Sequence, residues 1–142
     1  QMQTLLENLY KQETTFGETD FSALCGHLGK HVNKCSFLVL YTNFSNMTSL
    51  NRQLVYLQQL ARQHRVLVVF FEDADLKEYI AGKSVTTEDY YRHVIAEKFA
   101  FEKRLIVSTL KQHGIYSLLT TPDKLSIDVI NKYLEMKSRQ LL

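Results

Sequence analysis

The stretch Ser36-Phe-Leu-Val-Leu-Tyr-Thr-Asn-Phe-Ser-Asn46 decides how this chain is read. Its first half is a run of apolar, β-favouring residues with no polar alternation, the pattern of a strand covered on both faces. At Thr42-Asn43 it turns polar, which sets a small polar loop at the strand's carboxyl end. In open α/β sheets that edge is where ligands bind. The strand is expected over about 36–42, and any functional site should border the loop that follows it.

Downstream, Thr48 is the expected cap of a helix carrying Leu50, Leu54, Leu57 and Ala61 on one stripe. Val66 to Phe71 is a second wholly apolar strand. It runs into the acidic loop Glu72-Asp73-Ala74-Asp75, again at a strand's carboxyl end. A short helix is expected at about 75–81, stopped by Gly82. Thr86-Thr-Glu-Asp89 is a capping signal for a long helix over 87–112, with the stripe Tyr91, Ile95, Phe99, Ile106 and Leu110 and with Gly114 as its stop. Such a helix is about 39 Å long, so part of it should overhang a short-stranded sheet. A third strand, Ile115 to Leu119, is less uniformly apolar and suits an edge. Thr121-Pro122 then predicts a helix start, with Pro at the first helical position of a helix over about 122–139 bearing Leu125, Val129, Ile130, Tyr133 and Leu134.

Upstream, residues 2–12 are mildly helical through Leu5, Leu6, Leu9 and Tyr10, and a polar loop containing Gly17 follows. Thr19 or Asp20 can cap a helix over about 21–33. Helices alternating with strands in this way predict an α/β fold with a parallel sheet and right-handed crossovers, its strands near 36–42, 66–71 and 115–119. Three strands in sequential order would leave the apolar strand 36–42 at an edge, which natural sheets avoid. The chain is therefore expected to be part of a longer one whose further strands pair with 36–42. Left open, that edge is a surface for self-association.

The composition is that of a globular domain: 142 residues, 45% hydrophobic and 23% charged, with a net charge of +2 from 17 basic and 15 acidic residues. No segment has the basic density or basic–aromatic interleaving of a nucleic-acid binder. No apolar run reaches the ~18 residues of a membrane span, and no signal-peptide pattern is present. Cys25 and Cys35 form no C-x-x-C pair, which favours a reducing compartment. The same thiols argue against use of the two glycosylation matches at Asn43 and Asn46.

Three groups of residues could carry chemistry. Thr19 and Asn43 fall at the same sheet edge and offer oxygens suited to a hard cation such as Mg²⁺, although a helix cap and a turn-forming Asn are the commoner roles. Glu72, Asp73 and Asp75 could converge as the carboxylates of a metal-dependent hydrolase, or could favour the amino end of the next helix. His27 and His31 would share a helix face with Cys35 four residues on, a zinc-like spacing that has no fourth ligand. No G-x-G-x-x-G, P-loop, G-x-S-x-G or H-E-x-x-H motif occurs, so a noncatalytic chain is expected.

Four passages together carry a resemblance: Glu18-Thr-Asp-Phe-Ser-Ala-Leu24; Phe37-Leu-Val-Leu-Tyr-Thr-Asn-Phe44; Leu57-Gln-Gln-Leu-Ala-Arg-Gln-His-Arg-Val-Leu-Val-Val69; and Gly114-Ile-Tyr-Ser-Leu-Leu-Thr-Thr-Pro-Asp-Lys-Leu125 with Asn131-Lys-Tyr-Leu-Glu-Met-Lys137. In order and spacing they resemble the C-terminal part of the bacterial "domain of unknown function 58" family, whose members have a von Willebrand factor A-like domain. The resemblance covers nearly the whole chain and implies that 1–142 is the C-terminal portion of one such domain, a three-layer Rossmann-like sheet. It further implies a metal-ion-dependent adhesion site at the carboxyl edge, made from a D-x-S-x-S loop, a threonine and an aspartate. Thr19 matches the threonine, Asn43 stands where the aspartate is expected, and the D-x-S-x-S loop is not in this sequence. The pair would thus be a remnant of the site, with no cofactor in this segment and Mg²⁺ only where the whole site is present. Family members are similar to partners of MoxR-type AAA+ ATPases, acting in protein assembly or maturation, and longer relatives carry upstream membrane-spanning helices with this domain in the cytoplasm. The expected function is a noncatalytic protein–protein interaction domain.

Overall fold

A central strand of seven residues, Arg65–Phe71, is the spine of the molecule. The structure, a computed structural model, describes residues 2–13, 19–44, 46–72, 80, 82 and 86–142. Within them the chain runs α1 (Met2–Tyr10), α2 (Phe21–His31), β1 (Phe37–Tyr41), α3 (Met47–Gln63), β2 (Arg65–Phe71), α4 (Thr87–Gln112), β3 (Tyr116–Thr120) and α5 (Leu125–Ser138). The strands form one parallel sheet in the order β1-β2-β3. Val66 of β2 registers against Leu38 of β1, and Val69 against both Tyr41 of β1 and Leu118 of β3. Parallel neighbours cannot be joined by a tight turn, and here α3 and α4 make the two crossovers. The fold is α/β with a Rossmann-like arrangement.

Burial follows from position in the sheet. Val66 to Phe70 are at most 2% exposed, because β2 has a strand on each side and helices on each face. Alternation along the strand divides its side chains. Val66, Val68 and Phe70 join Leu38, Leu40, Leu50, Leu57, Ile106 and Leu110 in the core beneath α2, α3 and α4. Leu67 and Val69 face the other way, toward the side covered by α5, whose Met136 is buried and whose Tyr133 ring lies 5.6 Å from that of Phe37. β1 and β3 are the edges, half-exposed along most of their length. The expectation that the third strand is an edge is met, and β1 forms the opposite edge.

Local chemistry fixes most element ends. Asp20, rather than Thr19, caps α2: its Oδ1 accepts the Ala23 N–H at 2.9 Å. Thr86 and Asp89 form a reciprocal capping box at the start of α4. Gly114 ends the helix in the left-handed conformation at φ 71°, which costs a Cβ-bearing residue free energy. His64, buried at 3% exposure, caps α3 and accepts the Ser36 N–H on its Nδ1 at 3.3 Å, tying the foot of β1 to that of β2.

Four expectations are corrected. The cap of α3 is Asn46, whose Oδ1 accepts the Ser49 N–H at 2.8 Å. Asn46 has the extended backbone that a cap requires, whereas Thr48 is already helical. α2 ends at His31, with Val32 outside the helix. The last helix begins at Leu125 rather than Pro122, because a turn closed by Lys124 N–H donating to Thr121 O occupies 121–124. Its inward side carries Leu125, Val129 and Met136, leaving Ile130 and Leu134 exposed. On α4, Ile106 and Leu110 are buried as expected, but Tyr91, Ile95 and Phe99 are 71%, 49% and 51% exposed. Most of the helix expected at 75–81 lies outside the described residues.

Candidate functional site

The carboxyl edge of the sheet is assembled from segments distant in sequence. α2 begins there and β1 ends there, and the rings of Phe21 and Phe44 stack at 6.2 Å with 23° between planes. Phe44 is 2% exposed, so this stack anchors the two segments to the core and brings Thr19 and Asn43 to one side of the molecule. Their surroundings differ. Thr19 is exposed and lines a shallow depression of about 370 Å³ with Ser22, Arg52, Gln53 and Tyr56. Asn43 is exposed at the end of β1 and belongs to another group.

That group centres on Lys103, which sequence reasoning missed. From the middle of α4, its Nζ donates to Asn43 Oδ1 and, at 2.9 Å, to the Phe44 carbonyl oxygen. It also lies 5.6 Å from the centroid of the Phe70 ring, within cation–π range. Burial pushes the ammonium's pKa below the ordinary lysine value, since removal from water disfavours the charged form. Because Lys103 meets the chain just past β1, residues of α4 before it extend beyond the strand ends, the overhang expected from helix length. A signal for this residue was present: Lys103 falls four residues after Phe99 and three before Ile106, interrupting the stripe on the helix's inward side.

The donor set does not suit Mg²⁺, which binds through carboxylates and ordered waters in octahedral geometry. Thr19 and Asn43 are neutral, and the Asn43 oxygen already accepts from an ammonium. The arrangement holds a fixed ammonium group at the end of β1. Among the described residues no three His, Cys, Asp or Glu side chains form a metal-holding group.

Glu72 follows β2 at the same edge, its backbone N–H donating to Thr120 O at 2.9 Å, while Asp73 and Asp75 lie outside the described residues. Close by, Thr120 donates its hydroxyl proton to Asp128, joining the end of β3 to the first turn of α5. His27 and His31 share a face of α2 with ring centroids 4.4 Å apart; both are exposed, and Cys35 lies past the helix end, also exposed. Among the described residues no helix is long and apolar enough to cross a membrane. Comparison with protein-family models, with curated proteins and with solved structures finds no match for the chain.

Proposed function

We propose that this chain is a noncatalytic protein-interaction domain of the von Willebrand factor A-like type, engaging a protein partner through the carboxyl edge near Thr19, Asn43 and the 72–75 loop. The observation that carries the reading is the engagement of Asn43 Oδ1 and Phe44 O by Lys103. The cation that such an edge uses to grip an acidic side chain is supplied by the protein itself, so recognition here runs without a metal. The unpaired thiols of Cys25 and Cys35 support a reducing, cytoplasmic setting. A MoxR-type AAA+ ATPase is the partner class that the sequence resemblance implies, with a role in protein assembly or maturation.

Two measurements test the proposal. Titration calorimetry with Mg²⁺ should give no saturable heat at micromolar concentrations. Micromolar binding that disappears in Thr19→Ala would overturn the metal-free reading. In a pull-down with a MoxR-type ATPase, capture should fall at least tenfold, about 1.4 kcal/mol, when Thr19→Arg and Asn43→Arg are combined. Capture insensitive to both would remove the carboxyl edge from the interaction.

A further inference from the structure

A cavity of about 510 Å³ lies at the amino end of β3, at the opposite end of the sheet from Thr19 and Asn43. That size falls in the range of small-molecule sites, ~300–1,000 Å³. The cavity wraps the outer edge of β3. α4 supplies Val107 and Lys111 from one face of the sheet, and α5 supplies Lys132, Glu135, Met136 and Arg139 from the other. Ile115 and Met136 are buried and give it an apolar floor. Leu141 closes one side. It is fixed twice, by its N–H donating to Met136 O at 3.0 Å and by its carbonyl oxygen accepting from Arg65 Nε at 2.8 Å. This reversal of the chain sets Gln140 at φ 56°, a left-handed backbone that costs any residue with a Cβ free energy.

The charge of the lining identifies the occupant. Lys111, Lys132 and Arg139 share the space with one acid, Glu135, so three bases against one acid leave +2. Glu135 is engaged by Lys132 at 2.9 Å and by Arg139 at 3.2 Å. Lys111, across the cavity on α4, has no acid left to it among the lining residues. Both helices end here, and a helix carboxyl end carries roughly half a negative charge. Counting the two ends leaves about one positive charge unmatched. Nor do those ends offer a cation free acceptors. Leu110 O and Lys111 O accept the Ile115 and Gly114 N–H groups, and Met136 O and Lys137 O accept those of Leu141 and Gln140. A backbone donor adds to the positive lining. Thr120 O accepts from Glu72 on the β2 side, and backbone groups alternate sides along a strand. Those of Ser117, three residues earlier, therefore face the open edge, where the residue lines the cavity.

We propose that this cavity binds a small amphipathic carboxylate, an organic acid whose charged group is held by Lys111 with the Ser117 N–H and whose apolar body rests on Ile115 and Met136. One negative charge balances the lining, whereas a phosphate monoester, at about −1.5 to −2, overshoots it. An extended peptide added to the strand edge fits less well, because only Tyr116 and Ser117 of β3 line the cavity. The site lies at the far end of the strands from the proposed partner surface and does not depend on it.

The test is titration of the full 142-residue chain with naphthoate, followed by backbone amide NMR shifts. Saturable shifts with a Kd below about 1 mM are expected, largest at Lys111, Gly114, Ser117 and Lys132. Acetate has the charge without the body, and naphthalenemethanol the body without the charge; each should bind at least tenfold more weakly. Lys111→Gln should weaken naphthoate binding about tenfold with an unchanged circular dichroism spectrum, since the side chain is exposed. No saturation by about 10 mM, or shifts confined to the carboxyl edge around Thr19 and Asn43, would overturn the proposal. So would naphthalenemethanol binding as well as naphthoate, or affinity indifferent to Lys111→Gln. Tighter binding of naphthyl phosphate than of naphthoate would sink the assignment to a carboxylate.

Discussion

Lys103 is a charged residue whose role is set by groups 59 and 60 positions away. Its lowered pKa has a sign that can be worked out. Between the depressed folded value and the ordinary 10.5, the unfolded chain binds more protons than the folded one, so stability rises with pH across that window. The gain is fully present above the unfolded value and is lost as pH falls through the folded one. Urea midpoints measured from pH 8 to 10.5 should show this rise in the wild type relative to Lys103→Met, in which the difference vanishes while the packing of the stem on Phe70 is kept. The two cysteines form a contrasting pair. Cys25 is buried, its thiol pushed to higher pKa by desolvation, while Cys35 is exposed. Since the thiolate is the reactive form, iodoacetamide at pH 8 should label one site per folded chain, and peptide mapping should place it at Cys35.

At the scale of the element, the ends of α4 show why some boundaries could be read from sequence and others could not. Thr86 with Asp89, and Gly114 after Gln112, act through contacts within a few residues, so a local pattern specifies them. A Cβ added at Gly114 would meet nothing within 4 Å, so Gly114→Ala carries only the backbone penalty of the left-handed conformation, about 1 kcal/mol, to be read from thermal unfolding. The start of α5 differs from the expected one because Pro122 suits a turn as well as a first helical position, and here the turn that Lys124 N–H closes on Thr121 O occupies 121–124. The half-exposed stripe of α4 was misread for another reason. Periodicity reports which side of a helix is apolar, but not how far the sheet beneath it reaches.

Across the whole molecule, the sheet was the most legible feature, because β2 has no polar residue between Val66 and Phe71 and the run has the length and β-branched content of a buried strand. The site was less so. Thr19 and Asn43 were placed at one edge by strand direction alone, whereas for Lys103 the helix stripe shows a charge on the inward side but not its partners, which lie 59 and 60 residues away. Stability should follow the same geography. Leu67→Ala, at 0% exposure in the central strand, is expected to cost about 3–5 kcal/mol, a large share of the 5–15 kcal/mol typical of a domain. Leu38→Ala on half-exposed β1 should cost distinctly less. Urea denaturation of the two variants at one pH checks the ordering.

The crossovers also govern how quickly the molecule can assemble. No strand of the sheet is joined to its neighbour by a hairpin: β1 reaches β2 only across α3, and β2 reaches β3 only across residues 72–115. Each pairing must close a long loop before it is rewarded, which slows folding relative to helical bundles of the same size. During that delay the run Val66 to Phe71 is the most adhesive segment of the chain and has neither neighbour. Refolding yield should therefore decline with protein concentration more steeply than native stability alone would dictate.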